Sequence, residues 1–407
     1  MLSKKSSILR LIVSFSITCL CNLFYTQDID YYFPEIGVEN WETETPENLG
    51  WCINEIDTLV SMLDHNNTKA FLVLHNGKIV LEEYFDDFTQ DSSWFWFSAG
   101  KTIMAWNALI ASQDGLLNLD FPSSNYLGDN WSSCTSSQEN QIKVYHHLTM
   151  TTGLDDDVED LNCTDPNCLG FLEIPGSRWA YHNAPYSLLG EIIESATSQN
   201  LNSFTLQNLQ QIGMSGIYIP IGDLLIFRSR PRDMARFGVL MQNSGNWDGT
   251  QLLNVDLFND LVTPSQNINQ SYGYLWWLNG QNQFMLPGSQ FEFKNSLFPN
   301  APSDLICALG KNGQLLHISN SENLIVIRLG DTPEGSTGNA YSFNYQLWQL
   351  LNPIINCTNP TLIEEAFSSK SLIKIVDQLG REVEHTINQI LFYIYDDGSV
   401  EKKFVVE

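Results

Sequence analysis

Basic residues are scarce in this chain. Its 407 residues include 20 Lys plus Arg against 47 Asp plus Glu, a formal charge of −27. Nucleic acid and anionic membrane would both be repelled by that surface, so neither is expected as a partner. Long apolar runs are scarce too. Leu11 to Phe24 is the one extended stretch, and Ser and Thr interrupt it, so it makes a poor membrane span. No G-x-S-x-G occurs, which removes the strained serine elbow of the α/β-hydrolases. There is no H-E-x-x-H and no paired C-x-x-C, so neither metal nor cofactor is expected.

What the apolar stretch does resemble is an export signal. Lys4, Lys5 and Arg10 precede it as a basic segment, and residues 1–26 are expected to be removed. The chain is then secreted or held at the cell surface, without a stable membrane anchor. Six cysteines remain beyond the signal: Cys52, Cys134, Cys163, Cys168, Cys307 and Cys357. Six allow fifteen connectivities. One pair is local: Cys163 and Cys168 flank Thr164-Asp165-Pro166-Asn167, a turn that a disulfide can close outside the cytoplasm.

Chemistry enters with Ser98-Ala99-Gly100-Lys101. The run follows the aromatic segment Trp94 to Phe97 and opens a stretch with helical character to Leu117. Positions i and i+3 share a helix face, so the Lys101 amine belongs beside the Ser98 hydroxyl. A serine hydroxyl is a weak nucleophile until a base takes its proton, and a lysine whose pKa falls on burial can be that base. Ser and Lys are common residues, so S-x-x-K alone says little. Two remote segments give it weight: Tyr181-His182-Asn183 and Lys311-Asn312-Gly313.

Patterning along the chain predicts an α+β fold. Residues 27–50 read as an acidic leader and Trp51 to Leu63 as an amphipathic helix. Ala70–His75 and Lys78–Tyr84 alternate around Asn76-Gly77, a strong hairpin signal. Residues 120–260 read as helices and long loops, with helices at Tyr186–Thr197 and Asp233–Gln242. Asp304–Leu309, Gly313–Ile318 and Asn323–Leu329 then form a meander, and Tyr341–Leu351 a last helix. Strands at both ends and helices between imply one antiparallel sheet with a mostly helical insert, and a cleft at their junction. The main domain is set at 51–356. A small all-β tail over 363–407, with strands at Leu372–Asp377, Leu391–Tyr395 and Val400–Val406 about a turn at Asp396–Ser399, completes the chain.

The ordered trio is similar to the motifs of the serine β-lactamase and penicillin-binding-protein superfamily, S-x-x-K, Y-x-N and K-T-G. His147 to Leu154, Asp233 to Gly238, Tyr272 to Trp277 and Gly310 to Gln314 resemble its branch of 6-aminohexanoate-dimer hydrolases, esterases and class C-like proteins. The resemblance implies the β-lactamase/DD-peptidase-like fold and an acyl-enzyme on Ser98 with Lys101 as its basic partner. It implies that Tyr181, as a phenolate or through its hydrogen bond, shuttles the proton to the leaving group, with Lys101 and Lys311 the ammonium groups that would stabilise the anion. Asn183 would orient Lys101 and the substrate, and Lys311 and Gly313 would face the substrate. The backbone N–H groups of Ser98 and Gln314 would form the oxyanion hole. Asn312 departs from the usual Thr.

The activity so implied is hydrolysis of an amide or ester in a small molecule or short peptide. The alternative is a catalytically silent protein that binds peptidoglycan-like ligands in the same cleft. Separately, Arg381-Glu382-Val383 and Tyr393 to Lys402 resemble the C-terminal sorting domain of type IX secretion, which implies the outer-membrane secretion machinery as a partner.

Overall fold

The computed structural model describes residues 31–334, 340–357, 372–377, 380–383, 389–395 and 400–405. The export signal and the Asp396–Ser399 turn lie outside them. Residues 32–407 cluster as one unit.

Strands from near both ends of the main domain meet in a single antiparallel sheet. Its spatial order is Lys78–Tyr84, Thr68–His75, Leu324–Gly330, Gln314–Ser319, Ile306–Gly310 and Trp277–Leu278. The Asn76-Gly77 turn, both residues at positive φ, closes the first hairpin. Register runs straight through the middle: Leu72 lies opposite Ile327, and Ile327 opposite Leu316. Every residue of Leu324–Gly330 is buried, which requires cover on both faces. The helix Pro231–Gln242 packs on the central strands. Helices Ile56–His65 and Ala340–Ile355 pack on each other and on the sheet, with Trp348 Nε1 donating to His317 Nδ1 at 3.0 Å. Cys52–Cys357 ties the start of the first of these helices to the end of the last; among fifteen possible connectivities nothing in the sequence singled it out.

The helix Lys101–Gln113 is internal. Eleven of its thirteen residues are buried, too many for an amphipathic surface helix. It packs against Asn183–Thr197, Leu201–Leu209 and Val255–Leu261 of the insert.

Two expectations need correction. The insert region is not all helix and loop: Ile217–Ile221 and Leu224–Ser229 form a hairpin that pairs with Trp94–Phe97 in a separate three-stranded sheet. Ile217–Ile221 is the edge strand, where the missing N–H of Pro220 is tolerated. The leader is also part of the body. Glu44 N–H donates to Ile79 O, Ile79 N–H to Glu42 O, and the Arg236 guanidinium to the carbonyls of Pro34 and Glu35.

The tail contains the three expected strands, Leu372–Val376, Gln389–Tyr395 and Val400–Val405, in one antiparallel sheet. It touches the main body at Phe291, where the Lys374 amine sits 4.9 Å from the ring centre.

Candidate active site

The strand Trp94–Phe97 runs into the helix through a single turn of 3-10 helix at Ser98–Gly100. Phe97, the residue before the serine, sits at φ 47°, ψ −131°. A bulky residue in that region is strained, and the sharp corner it makes sets Ser98 at the helix start. Three residues on, the Lys101 Nζ donates to Ser98 Oγ at 3.3 Å and to Asn183 Oδ1 at 3.0 Å. Asn183 opens the helix Asn183–Thr197, whose first turn is pinned from behind by His147 Nδ1, 2.8 Å from Pro185 O. The Tyr181 phenol lies beside the same pair, its ring centre 5.2 Å from Lys101 Nζ and its hydroxyl near enough to Ser98 for the serine to act on its pKa. Ser98, Lys101, Tyr181 and Asn183 therefore converge on one point.

Burial decides their protonation. Lys101 is almost wholly out of water, and loss of hydration pulls its pKa down to about 7. The ring faces of Tyr181 and Tyr186, 5.2 and 4.2 Å from Nζ, favour the cation, but desolvation prevails. The same burial pushes the Tyr181 phenol up to about 12, with the Ser98 hydrogen bond working weakly the other way. Of the two forms the resemblance allows for Tyr181, burial favours the neutral phenol over the phenolate and leaves Lys101 the group poised to lose its proton near neutrality. His182 is buried as well, with a pKa drawn down to about 4 by desolvation, and neither ring nitrogen has a hydrogen-bond partner.

The third motif sits differently. Lys311, Asn312 and Gly313 form the turn between Ile306–Gly310 and Gln314–Ser319, with Asn312 and Gly313 at φ 64° and 74°. Lys311 is exposed, and its ammonium has no hydrogen bond or ion pair among the described residues. The Gly313 carbonyl accepts from Arg328 Nη1 at 3.0 Å. Gln314 is fully buried, its amide holding Gly330 O at 2.6 Å and Gly330 N at 2.9 Å. The residue the sheet brings against the nucleophile corner is Gly310. A Cβ there would lie 2.2 Å from Trp96 O and 3.1 Å from Ala99 N, so only glycine permits the approach. Lys311 and Gln314 carry the motif's letters; the Lys311 ammonium is exposed on the turn and the Gln314 side chain is spent on Gly330.

Other residues at the site were not singled out as such. Trp277 stacks on Tyr181 with 6.0 Å between ring centres, and Trp179 and Tyr272 close around the same ring. Asn162 Oδ1 accepts from Asn183 Nδ2 at 2.9 Å. It lies in an acidic loop stapled by the disulfide Cys163–Cys168. Cys134 and Cys307 are free thiols, and no cluster of metal-binding side chains is present among the described residues.

The Beta-lactamase family model matches residues 60–224. That span takes in Ser98, Lys101, Tyr181 and Asn183 and stops short of the 306–330 strands. In three dimensions the chain is similar to a Bacillus anthracis protein provisionally named 6-aminohexanoate-dimer hydrolase, with TM-score 0.59 and 19% identity over 78% of this chain and 89% of that one. It is also similar to the octameric penicillin-binding protein homologue of Pyrococcus abyssi, with TM-score 0.53 and 15% identity over 86% and 89% of the two chains. The fold is that of the β-lactamases and penicillin-binding proteins. At the level of sequence, an uncharacterized protein of Alkalihalophilus pseudofirmus is 25% identical over 72% of this chain and 93% of its own length.

Proposed function

We propose that this protein is an exported serine hydrolase that cleaves an amide or ester through an acyl-Ser98 intermediate. One observation carries the reading: a lysine held near pKa 7 by burial lies 3.3 Å from a serine oxygen at a strained helix start. Neutral Lys101 would take the Ser98 proton as Oγ attacks the carbonyl carbon. Tyr181, protonated and beside Ser98, would donate to the leaving nitrogen or oxygen and recover its proton through Lys101. Water would then reverse these steps to release the acid. Buried lysine and tyrosine can run both half-reactions because proton transfer between them stays inside a dry site.

The developing oxyanion needs two aligned N–H groups. One is that of Ser98. For the other, Lys311 is better supported than Gln314. Leu305 O points to the outer edge of its strand, accepting from Asn279 N–H at 2.8 Å. Backbone groups alternate along a ladder, so the N–H of residue 311 faces the same way, beside the corner that Gly310 touches.

The name of one similar protein, 6-aminohexanoate-dimer hydrolase, favours a linear amide as substrate; esters and short D-peptides come from the motif resemblance. Export, with the tail addressed to an outer-membrane secretion system, remains part of the proposal on the strength of the N-terminal and C-terminal sequence patterns. The test is intact-mass measurement after exposure to p-nitrophenyl butyrate, a linear aminohexanoate amide, nitrocefin and a D-Ala-D-Ala peptide. A mass gain equal to the acyl group, absent in Ser98→Ala that unfolds at the same temperature, is expected with at least one probe. Hydrolysis by Ser98→Ala at the parent rate would overturn the mechanism.

A further inference from the structure

Lys101 receives its orientation from an amide oxygen, and an amide can turn over. Asn183 presents Oδ1 rather than Nδ2 to Lys101 because its nitrogen is engaged behind it, donating to Asn162 Oδ1 at 2.9 Å. Asn162 is fixed in its turn. Its Nδ2 donates to Asp160 Oδ1 at 3.0 Å, and the same oxygen accepts the Asn162 backbone N–H at 2.9 Å. An ionised carboxylate only accepts, so the polarity of the whole row is set at Asp160. From amine to amide to amide to carboxylate each group donates to the next, and the amine that heads this row also donates to Ser98 Oγ.

The loop that carries the row is held at several points. Leu161 O accepts from Ala184 N–H at 2.9 Å, beside Asn183, and Thr164 N–H donates to Asp223 at 3.0 Å. The disulfide Cys163–Cys168 begins at the residue after Asn162, and Asp165 caps the short turn inside it. An acidic, exposed segment of this kind is ordinarily a mobile surface loop. Here its fastenings converge on a single asparagine.

We infer that Asp160 and Asn162 are positioning residues that decide which atom of Asn183 faces Lys101; the inference rests on the acyl-transfer reading above. With Oδ1 facing it, the Lys101 nitrogen keeps its lone pair directed at Ser98. With Nδ2 facing it, an N–H would point at the amine, disfavour the ammonium and occupy the lone pair that must act as base. The groups around Lys101 leave the decision to this amide. Ser98 and the neutral phenols of Tyr181 and Tyr186 face it, Tyr218 bonds Gly100 O nearby, and no carboxylate pairs with it among the described residues. Asp155, Asp156 and Arg178 act on His182.

The experiment compares wild type, Asn162→Ala and Asn162→Asp by two readouts. One is the pH dependence of single-turnover acylation by p-nitrophenyl butyrate. The other is direct titration of Lys101 by NMR of ¹³Cε-labelled lysine, assigned with Lys101→Met. Thermal unfolding of each variant checks the fold. Asn162→Ala frees Asn183 to turn. Its acylation plateau is expected to fall about 10²-fold, the order of loss for small misplacement of a reacting group, and its acid limb and the Lys101 titration to move to lower pH. Asn162→Asp keeps an acceptor for Asn183 and adds a negative charge, so both should move to higher pH. The fall in Asn162→Ala is the signature, since the charge added in Asn162→Asp raises the titration by itself and serves to show that Lys101 is read by the experiment. An unchanged or raised Lys101 titration in folded Asn162→Ala would overturn the inference. A lowered titration there without acylation of the wild type would sustain the positioning role while overturning the hydrolase reading.

Discussion

Lys101 and Arg328 are both cations taken out of water, and they reach opposite ends. Arg328 is fully buried. Its guanidinium donates to Thr68 Oγ1 and to the carbonyls of Asn66, Asn312, Gly313 and Asp331, at 2.6 to 3.1 Å. Desolvation lowers its pKa only to about 9, so it stays charged at neutral pH. Lys101 has one amide oxygen, one hydroxyl and two ring faces, and drops to about 7. A buried cation with a full set of acceptors is a structural clamp, here on the turn that carries Lys311. One left short of acceptors is ready to give up its proton.

The sharpest way to break the comparison is to replace each by methionine. Lys101→Met should remove about 10² to 10⁴-fold of the acylation rate, the usual worth of a general base. It should leave stability unchanged or raise it by up to about 2 kcal/mol, since a desolvated charge is replaced by a packed side chain. Arg328→Met orphans several acceptors at about 1–3 kcal/mol each and should cost at least about 3 kcal/mol. Urea midpoints and acylation rates of the two variants, measured together, should rank in opposite orders; a matched ranking would erase the distinction.

Acid and base sharpen the contrast further. Lys101 must be neutral to act, so acylation should rise with pH through about 7 and then hold level, because Tyr181 near 12 does not titrate in the working range. Stability should follow other groups. Buried His147, His182 and His317 have folded-state pKa values drawn down by desolvation to about 4, 4 and 3, against about 6.5 in an unfolded chain. Between those values the unfolded chain binds more protons. Their contribution is therefore complete above about pH 6.5 and lost progressively as pH falls toward 4. A urea midpoint flat from pH 7 down to 4 would contradict these burial assignments.

How much of this was legible beforehand follows the range of the interactions. Ser98 and Lys101 could be paired from sequence because three residues of helix fix their relation locally. Asn76-Gly77 announced its hairpin for the same reason, and the alternating strands announced the sheet. Asn162 could not be seen: an asparagine in an acidic loop has no periodic signature, and its role exists only through Asn183, 21 residues away. Arg328 was hidden inside an apolar strand. The small sheet was missed, since residue preference cannot distinguish an edge strand from a loop. Lys311 is instructive. Three letters in a plausible place suggested a motif, but residue letters do not say whether the side chain or the backbone N–H serves the site, and the reading proposed above takes the N–H.

That reading yields the smallest expected effect. Were the Lys311 ammonium part of the site, its loss would cost a charge-assisted contact to substrate, on the order of 1.5–3 kcal/mol, or about 10 to 10²-fold in kcat/KM. Exposed on the turn, with no partner among the described residues, it should matter little. Lys311→Ala, which keeps the backbone N–H proposed for the oxyanion hole, is expected to stay within about threefold of wild type on p-nitrophenyl butyrate. Lys311→Pro, which deletes that N–H, should lose about 10² to 10³-fold. A large loss in the alanine variant would return the side chain to the active site.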